Sequence, residues 1–359
     1  MHTEGSASRS LRGWLSFRRY LGNAVRVRLG RSRVMQPVVA TYHVTSYCNL
    51  NCTYCEDFGL RKNRFMRDAM LPLEGARKVL EVLRTTTENI ILTGGEPLVH
   101  PHITEIVEHA THLRYHNVAL ITNGLLLPRR EGVLPHLRRL IISLDSLDRE
   151  SWDQVLDLRS GTADKIIRNI EHYAARRQEF GYEMQINCVV MPGTIDMARQ
   201  VLDFCQKLGI GFSMSPQGIN DQPHEALRSD PAYLELIRDV IRLKDEGGSI
   251  VGSRVYLEHM LEFDEFQCYP TVNVRVLQNG DLVYPCRPIA DQKDGRGGVA
   301  INLLEVSEFS EAFERSVERF GEPPLGCRSC FQQCFAEPSL LIARPERAFG
   351  EFLRYLERA

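Results

Sequence analysis

Cys48, Cys52 and Cys55 put three thiols into eight residues, spaced Cys-x-x-x-Cys-x-x-Cys. Thiolates select soft metal centres, iron–sulfur clusters and zinc among them. A four-iron cubane held by three local cysteines keeps its fourth iron open to a small molecule, and the chemistry of such a site belongs to that iron. A structural zinc asks for four closed ligands. The nearest histidines, His43 and His100, form no familiar zinc spacing with the triplet. A disulfide leaves one thiol of the three over. Further on, the run Gly94-Gly95-Glu96-Pro97 joins two glycines that let the backbone approach a ligand closely to a Glu-Pro pair that fixes a turn. Five more cysteines follow in the last third of the chain: Cys268, Cys286, Cys327, Cys330 and Cys334. Two pairs of these complete a four-thiolate shell, for which a second cluster and a structural zinc both qualify. Cys188 and Cys205 stand alone in apolar runs and read as core residues.

The elements that must position these groups alternate along the chain. Strands are expected over Pro37–Thr45, Asn89–Thr93, Asn117–Thr122, Leu137–Leu144, Glu183–Met191 and Gly211–Ser215. Helical patterns fall between them, over Pro72–Thr86, Ile103–His112, Ala163–Gln178 and Asp196–Leu208. Such alternation implies right-handed crossovers and a parallel sheet, either doubly wound or closing toward a barrel. Each strand end carries polar candidates: Asn123 after the third, Ser143 and Asp145 after the fourth, Asn187 in the fifth. Asp145 is alternatively a helix cap, and the two asparagines are alternatively plain turn and strand residues.

With Tyr54 directly before its third cysteine, the triplet resembles the fingerprint of the radical S-adenosylmethionine (SAM) superfamily. The resemblance implies an α/β fold, a partial (β/α)6 TIM-like barrel, with a [4Fe-4S] cluster at the C-terminal strand ends, where barrels place their chemistry. By the same resemblance, the Gly94, Gly95, Glu96 and Pro97 loop receives the amino group of the methionyl part. Ser143 and Asp145 serve the ribose hydroxyls and the carboxylate. Arg159 pairs with the methionine carboxylate, Asn123 and Asn187 add polar contacts, and Val189 to Met191 lend backbone groups to the adenine. The implied reaction is one-electron cleavage of SAM to a 5′-deoxyadenosyl radical, which abstracts hydrogen from, or adds to, a small-molecule or lipid substrate. It requires an electron donor such as a flavodoxin or ferredoxin. The step needs no side-chain acid or base, and none is assigned.

The tail reads as a small β-hairpin and helix extension. Asn279-Gly280 between two β-rich runs signals a hairpin from Val272 to Cys286. The run Asn-Gly-Asp-Leu-Val-Tyr-Pro-Cys resembles the hairpin of SPASM and twitch extensions, which carry auxiliary [4Fe-4S] clusters. Five tail cysteines are fewer than a full SPASM extension carries, so one auxiliary cluster is expected. Cys268, Cys286, Cys327 and Cys330 resemble the twitch set of the aminocyclitol-oxidising radical dehydrogenases. The closing Cys-x-x-Cys-x-x-x-Cys also resembles the tail of the hopanoid-lipid radical enzymes. Cys334 is then left over, either replacing a ligand or donating a hydrogen atom to a substrate radical.

At 359 residues, 43% hydrophobic and with a net charge of −2, the chain is long enough for a large core and carries no basic domain for nucleic acid. No run of 18 apolar residues is present. Between Arg9 and Arg33 lie eight arginines and no acid, interleaved with Leu11, Trp14, Leu15, Phe17, Tyr20, Leu21 and Val25. That pattern suits a helix lying on an anionic membrane surface, a cap under a barrel, or a transit-like segment. The expected organisation is a basic segment 1–35, a radical SAM core 36–216, a helical linker 217–265, an auxiliary-cluster unit 266–338 and a terminal helix 339–359. The expected location is cytoplasmic, with peripheral contact at the inner membrane surface. A radical-based peptide maturase is a second reading, disfavoured by the lack of an added leader-binding domain of about eighty residues. A non-enzymatic iron–sulfur or zinc protein is the third.

Overall fold

The computed structural model describes residues 18–30, 32–55, 70–156, 161–219, 222–292, 295–324 and 331–358, with side chains through 351. Arg159, Cys327, Cys330 and the segment 1–17 lie outside the described residues. In chain order the elements are helix α1 (18–28), β1 (Val39–Thr45), α2 (Leu73–Arg84), β2 (Asn89–Gly94), α3 (Ile103–His112), β3 (Asn117–Thr122) and β4 (Arg139–Ser143). There follow α4 (Arg149–Leu156), α5 (Thr162–Ala175), α6 (Arg177–Phe180), β5 (Glu183–Val190), α7 (Ile195–Leu208) and β6 (Gly211–Pro216). A small ribbon, β7 (Gly218–Ile219) and β8 (Gln222–Pro223), leads to α8 (Pro231–Asp245) and α9 (Arg254–Glu262). The tail holds β9 (Asn273–Val276), β10 (Asp281–Tyr284), α10 (Arg287–Asp291), β11 (Gly298–Asn302), α11 (Phe309–Phe320), α12 (Gln333–Ala343) and α13 (Pro345–Arg358).

β1 to β6 pair in sequence order, each parallel to the next. Period-2 alternation gives this sheet two chemically different faces. One carries Ala40, Tyr42, Val44, Ile90, Leu92, Val118, Leu120, Leu140, Ile142 and Ile186, all buried in one cluster with the apolar stripes of the helices. α2, for example, contributes Ala76, Val79, Leu80, Val82 and Leu83. The other face carries Thr41, His43, Thr93, Ser143, Gln185, Asn187, Ser213 and Ser215. Local signals set the element ends. Asp230 caps α8 by accepting from Ala232 N and Tyr233 N, with Pro231 at the first helical position. α7 stops at Gly209, whose φ of +62° favours glycine.

The hairpin forms around Asn279-Gly280, with Gly280 at φ +89°. Its placement is a tertiary result. β9 pairs parallel with β1, Thr41 opposite Arg275, and β10 and β11 follow outward, giving a nine-stranded sheet in the order β11-β10-β9-β1-β2-β3-β4-β5-β6. The tail thus continues the hydrogen bonding of the core sheet.

α1 packs one face against this body. Asn23 exchanges two bonds with the Gln36 backbone, each 2.9 Å. Arg19 donates to the Pro37 and Thr86 carbonyls. Tyr20 and Val27 join Met35, Val38, Val272 and Ile342 in a small apolar cluster. The described part of the basic segment therefore caps the sheet below the strands' N-terminal ends. Its opposite face leaves Leu21, Val25 and Leu29 46–56% exposed.

Candidate functional site

The triplet follows β1 directly, and backbone bonds from several elements hold its loop. Asn51 N and Thr53 N donate to Leu156 O and Val155 O at the end of α4, while Glu96 N donates to Tyr47 O. Side chains add two more ties. The Tyr54 hydroxyl donates to Asp145 Oδ2 at 2.5 Å, and Asp145 Oδ1 accepts from Val189 N at 2.8 Å. Asn123 Nδ2 donates to Asn49 Oδ1 at 2.8 Å. The cysteine loop is thus bridged to the ends of β3, β4 and β5 at once, bringing Tyr54, Asn123, Asp145 and Val189 together.

The Gly-Gly-Glu-Pro turn has a more specific role than loop flexibility. A Cβ on Gly94, at φ +148°, would lie 2.2 Å from Thr45 O, and one on Gly95 would lie 2.5 Å from Tyr47 O. The glycines let the turn press against the backbone that delivers the cysteines, so the close approach they permit is first of all to the protein's own chain. Glu96 is fully buried. Its oxygens accept from Leu98 N, Thr122 Oγ1 and Asn123 N at 2.7–2.9 Å, joining the ends of β2 and β3. Pro97 opens the short 3-10 turn that follows.

Ser143 lies opposite Asn187 in register, and Asn187 Oδ1 accepts from Ser213 Oγ at 3.0 Å. Sequence reasoning missed Asn49, Ser213, Asn273 and Arg275. The alternation Phe212-Ser213-Met214-Ser215 could have signalled Ser213, since it puts both serines on one face.

Burial dominates the electrostatics. It pushes the Cys48 and Cys52 thiols up to about 12, with further repulsion from neighbouring thiols and acids. It raises the Asp145 carboxyl to about 6 and the Glu96 carboxyl to about 7, in each case against hydrogen bonds that favour the charged form. Burial, with Arg275 and Arg287 nearby, depresses His43 to about 3. None of the described cysteines is disulfide-bonded. Among the described residues no three His, Cys, Asp or Glu side chains converge on one metal ion. Thiolates that each take a different iron of a cubane need no such convergence. His100 is also occupied by backbone, its ring nitrogens meeting Leu71 O and His102 N.

The donor chemistry fits an iron–sulfur cluster. Three clustered thiols become thiolates, releasing their protons, when a cationic centre binds them. The amide nitrogen of Asn49, between the first two cysteines, is buried with no partner and can donate to such a group. Of the tail cysteines, Cys268 receives a contact from Ser339 Oγ at 3.8 Å, and Cys286 caps α10 just beyond β10. Cys334 opens α12 facing Asn273 and Arg275. Cys188 and Cys205 are wholly buried in the core.

The fold and these strand ends define an α/β protein whose mostly parallel sheet is that of a partial barrel. Residues 42–205 match the Radical SAM superfamily model, and this stretch is a radical SAM domain. A probable GTP 3',8-cyclase of Methanococcus aeolicus is 32% identical over 173 residues, 46% of this chain and 55% of that protein. The GTP 3',8-cyclase of Marinobacter nauticus is 32% identical over 214 residues, 56% of this chain and 61% of that protein. The chain thus spans little more than half the length of the curated relatives it matches. Among solved structures, Streptococcus suis SuiB bound to S-adenosylmethionine superposes with a TM-score of 0.59 at 18% identity, covering 78% of this chain and 66% of that one. anSMEcpe with bound AdoMet superposes at 0.54 and 16% identity, covering 90% and 99%. At these identities the structural likeness shows the fold. The superfamily works with a [4Fe-4S] cluster and SAM.

Proposed function

We propose that Cys48, Cys52 and Cys55 hold the SAM-binding [4Fe-4S] cluster and that the chain acts by radical chemistry on a small molecule. The observation carrying this reading is the bridge from Tyr54 through Asp145 to Val189, which ties the cysteine loop to the strand ends proposed to bind SAM. When bound, cluster and SAM together supply a carbon-centred radical by one-electron cleavage. The chain's own part is to hold, orient and shield. The Gly94–Pro97 turn, Asn123, Ser143, Asp145, Asn187 and Val189 border the proposed SAM site, with Arg159 assigned to the methionine carboxylate. Cys268, Cys286, Cys327 and Cys330 are assigned to one auxiliary cluster of a SPASM- or twitch-like unit. The organisation 1–35, 36–216, 217–265, 266–338 and 339–359 is kept as the working division. GTP is the first substrate to assay, because relatives at 30% identity or more bear that name; lipids and peptides are the other arms.

Anaerobically reconstituted full chain with dithionite and SAM is expected to form 5′-deoxyadenosine and to hold about eight irons. Absence of 5′-deoxyadenosine with the first cluster filled overturns the reading, and about four irons with bound zinc overturns the tail assignment.

Peripheral membrane contact through 9–33 rests on one observation, the outward stripe Leu21, Val25 and Leu29 beside Arg18, Arg26 and Arg28. No described helix is long and apolar enough to cross a membrane. The full chain is expected to float with anionic liposomes and Leu21→Glu/Val25→Glu to lose most of that flotation; equal flotation defeats the idea.

A further inference from the structure

β9 brings Arg275 to the polar face of the sheet. It sits opposite Thr41 in register, and two residues earlier Asn273 Oδ1 accepts from Thr41 Oγ1 at 3.0 Å. The Arg275 charge is felt by His43 from one side and by Cys334 from the other. Yet among the described residues this half-buried guanidinium has no hydrogen bond and no ion pair, and its Nε is buried without an acceptor. Its flat neighbour is the Phe335 ring, 6.0 Å from the guanidinium carbon. Two other half-buried arginines are satisfied by backbone: Arg84 donates to Leu113 O and Arg130 to Leu98 O.

A second donor beside it is also short of an acceptor. Asn273 is 1% exposed, and its amide nitrogen meets no oxygen acceptor, only the weakly accepting Cys334 sulfur. Burying such donors without a strong acceptor is costly, and more so when the donor is charged. His43, held neutral, offers no compensating charge, and Arg287 adds positive field. The group that would complete this site accepts at least two hydrogen bonds and is negatively charged. A guanidinium fork matches the paired oxygens of a carboxylate or phosphate.

We propose that Arg275 and Asn273 form an oxyanion site for the substrate, so that the tail strand supplies the anchor for an acidic small molecule. This rests on the radical reading above, deepening it by naming a substrate class. Arg275 is level with Thr41, four residues of strand, about 13 Å of rise, short of Thr45. The reacting carbon of the substrate then lies on the Cys48 side of its anionic group.

The test is calorimetric titration of anaerobically reconstituted full chain with pyrophosphate and, separately, succinate, which distinguish a phosphate from a carboxylate source. The wild type is expected to bind one of them, Arg275→Gln to weaken that binding about 10- to 100-fold and Arg275→Lys to fall between. SAM affinity, iron content and 5′-deoxyadenosine formed without substrate are expected to stay unchanged in both variants. Failure of the wild type to bind either anion overturns the proposal, as does equal binding by Arg275→Gln. A loss of SAM affinity or of iron assigns the charge to SAM or to the cluster and also overturns it. Because anion binding is read apart from SAM cleavage, failure of the radical reading is recognised separately.

Discussion

Cys55→Ala is expected to abolish 5′-deoxyadenosine formation and to remove about four irons per chain, while the tail retains its own about four. Circular dichroism is expected to stay native-like, because the loop's backbone is held independently by Leu156, Val155 and Thr45 contacts. Cys286→Ala is the converse: it loses the tail irons and keeps cleavage of SAM in the presence of dithionite. Cys334→Ala keeps all irons, since its sulfur meets Asn273 and Arg275 on the polar face. Iron assay with Mössbauer spectroscopy checks each variant. A Cys55→Ala protein that still makes 5′-deoxyadenosine would remove the triplet from the reaction.

The second large effect concerns the bridge. Asp145→Ala leaves the Tyr54 hydroxyl and Val189 N–H without their acceptor in a buried setting, at a cost of roughly 3 kcal/mol or more. The cysteine loop then loses its tie to β4 and β5, and cluster occupancy is expected to fall with stability. Asp145→Asn separates charge from contact: its carbonyl still accepts from Val189 while its amide donates to the Tyr54 oxygen. In the metal-free chain the folded Asp145 carboxyl titrates near 6 against an ordinary 3.8. The folded state therefore binds the extra proton between these values. The stability this contributes is complete below about 3.8 and is lost as pH rises through 6, up to on the order of 3 kcal/mol. Glu96 has the same sign, between 4.5 and about 7. His43, depressed to about 3, has the opposite sign and adds stability as pH rises toward 6.5. The difference between wild type and Asp145→Asn isolates one group: urea melts are expected to show the wild type losing stability relative to the variant from pH 4 to 7. A flat difference would mean Asp145 ionises normally.

Much of the barrel was legible because its information is local. The six strands and the helices between them follow from the alternation of apolar runs such as Asn89–Thr93 and stripes such as those of α2. Asn279-Gly280 announced its hairpin through the positive φ that the turn requires. The boundaries were less legible: Leu137–Leu144 shortened to Arg139–Ser143, because Leu137 and Arg138 lead out of a 3-10 turn that no periodicity marks. The glycines of the Gly-Gly-Glu-Pro turn were recognisable as close-approach residues, but what they approach was not.

By itself the sequence determined the chemistry on offer: three thiols at Cys48, Cys52 and Cys55, five more in the tail, and strand ends bearing Asn123, Asp145 and Asn187. Residue type and spacing carry that much. Only the tertiary structure decided that Asp145 holds Tyr54 and Val189 together, that Glu96 braces two strand ends, and that β9 joins β1 and sets Arg275 on the polar face. Those outcomes depend on pairing between residues as far apart as Thr41 and Asn273. Such pairing is selected by the burial and hydrogen bonding of the whole sheet, and no local pattern along the chain records it.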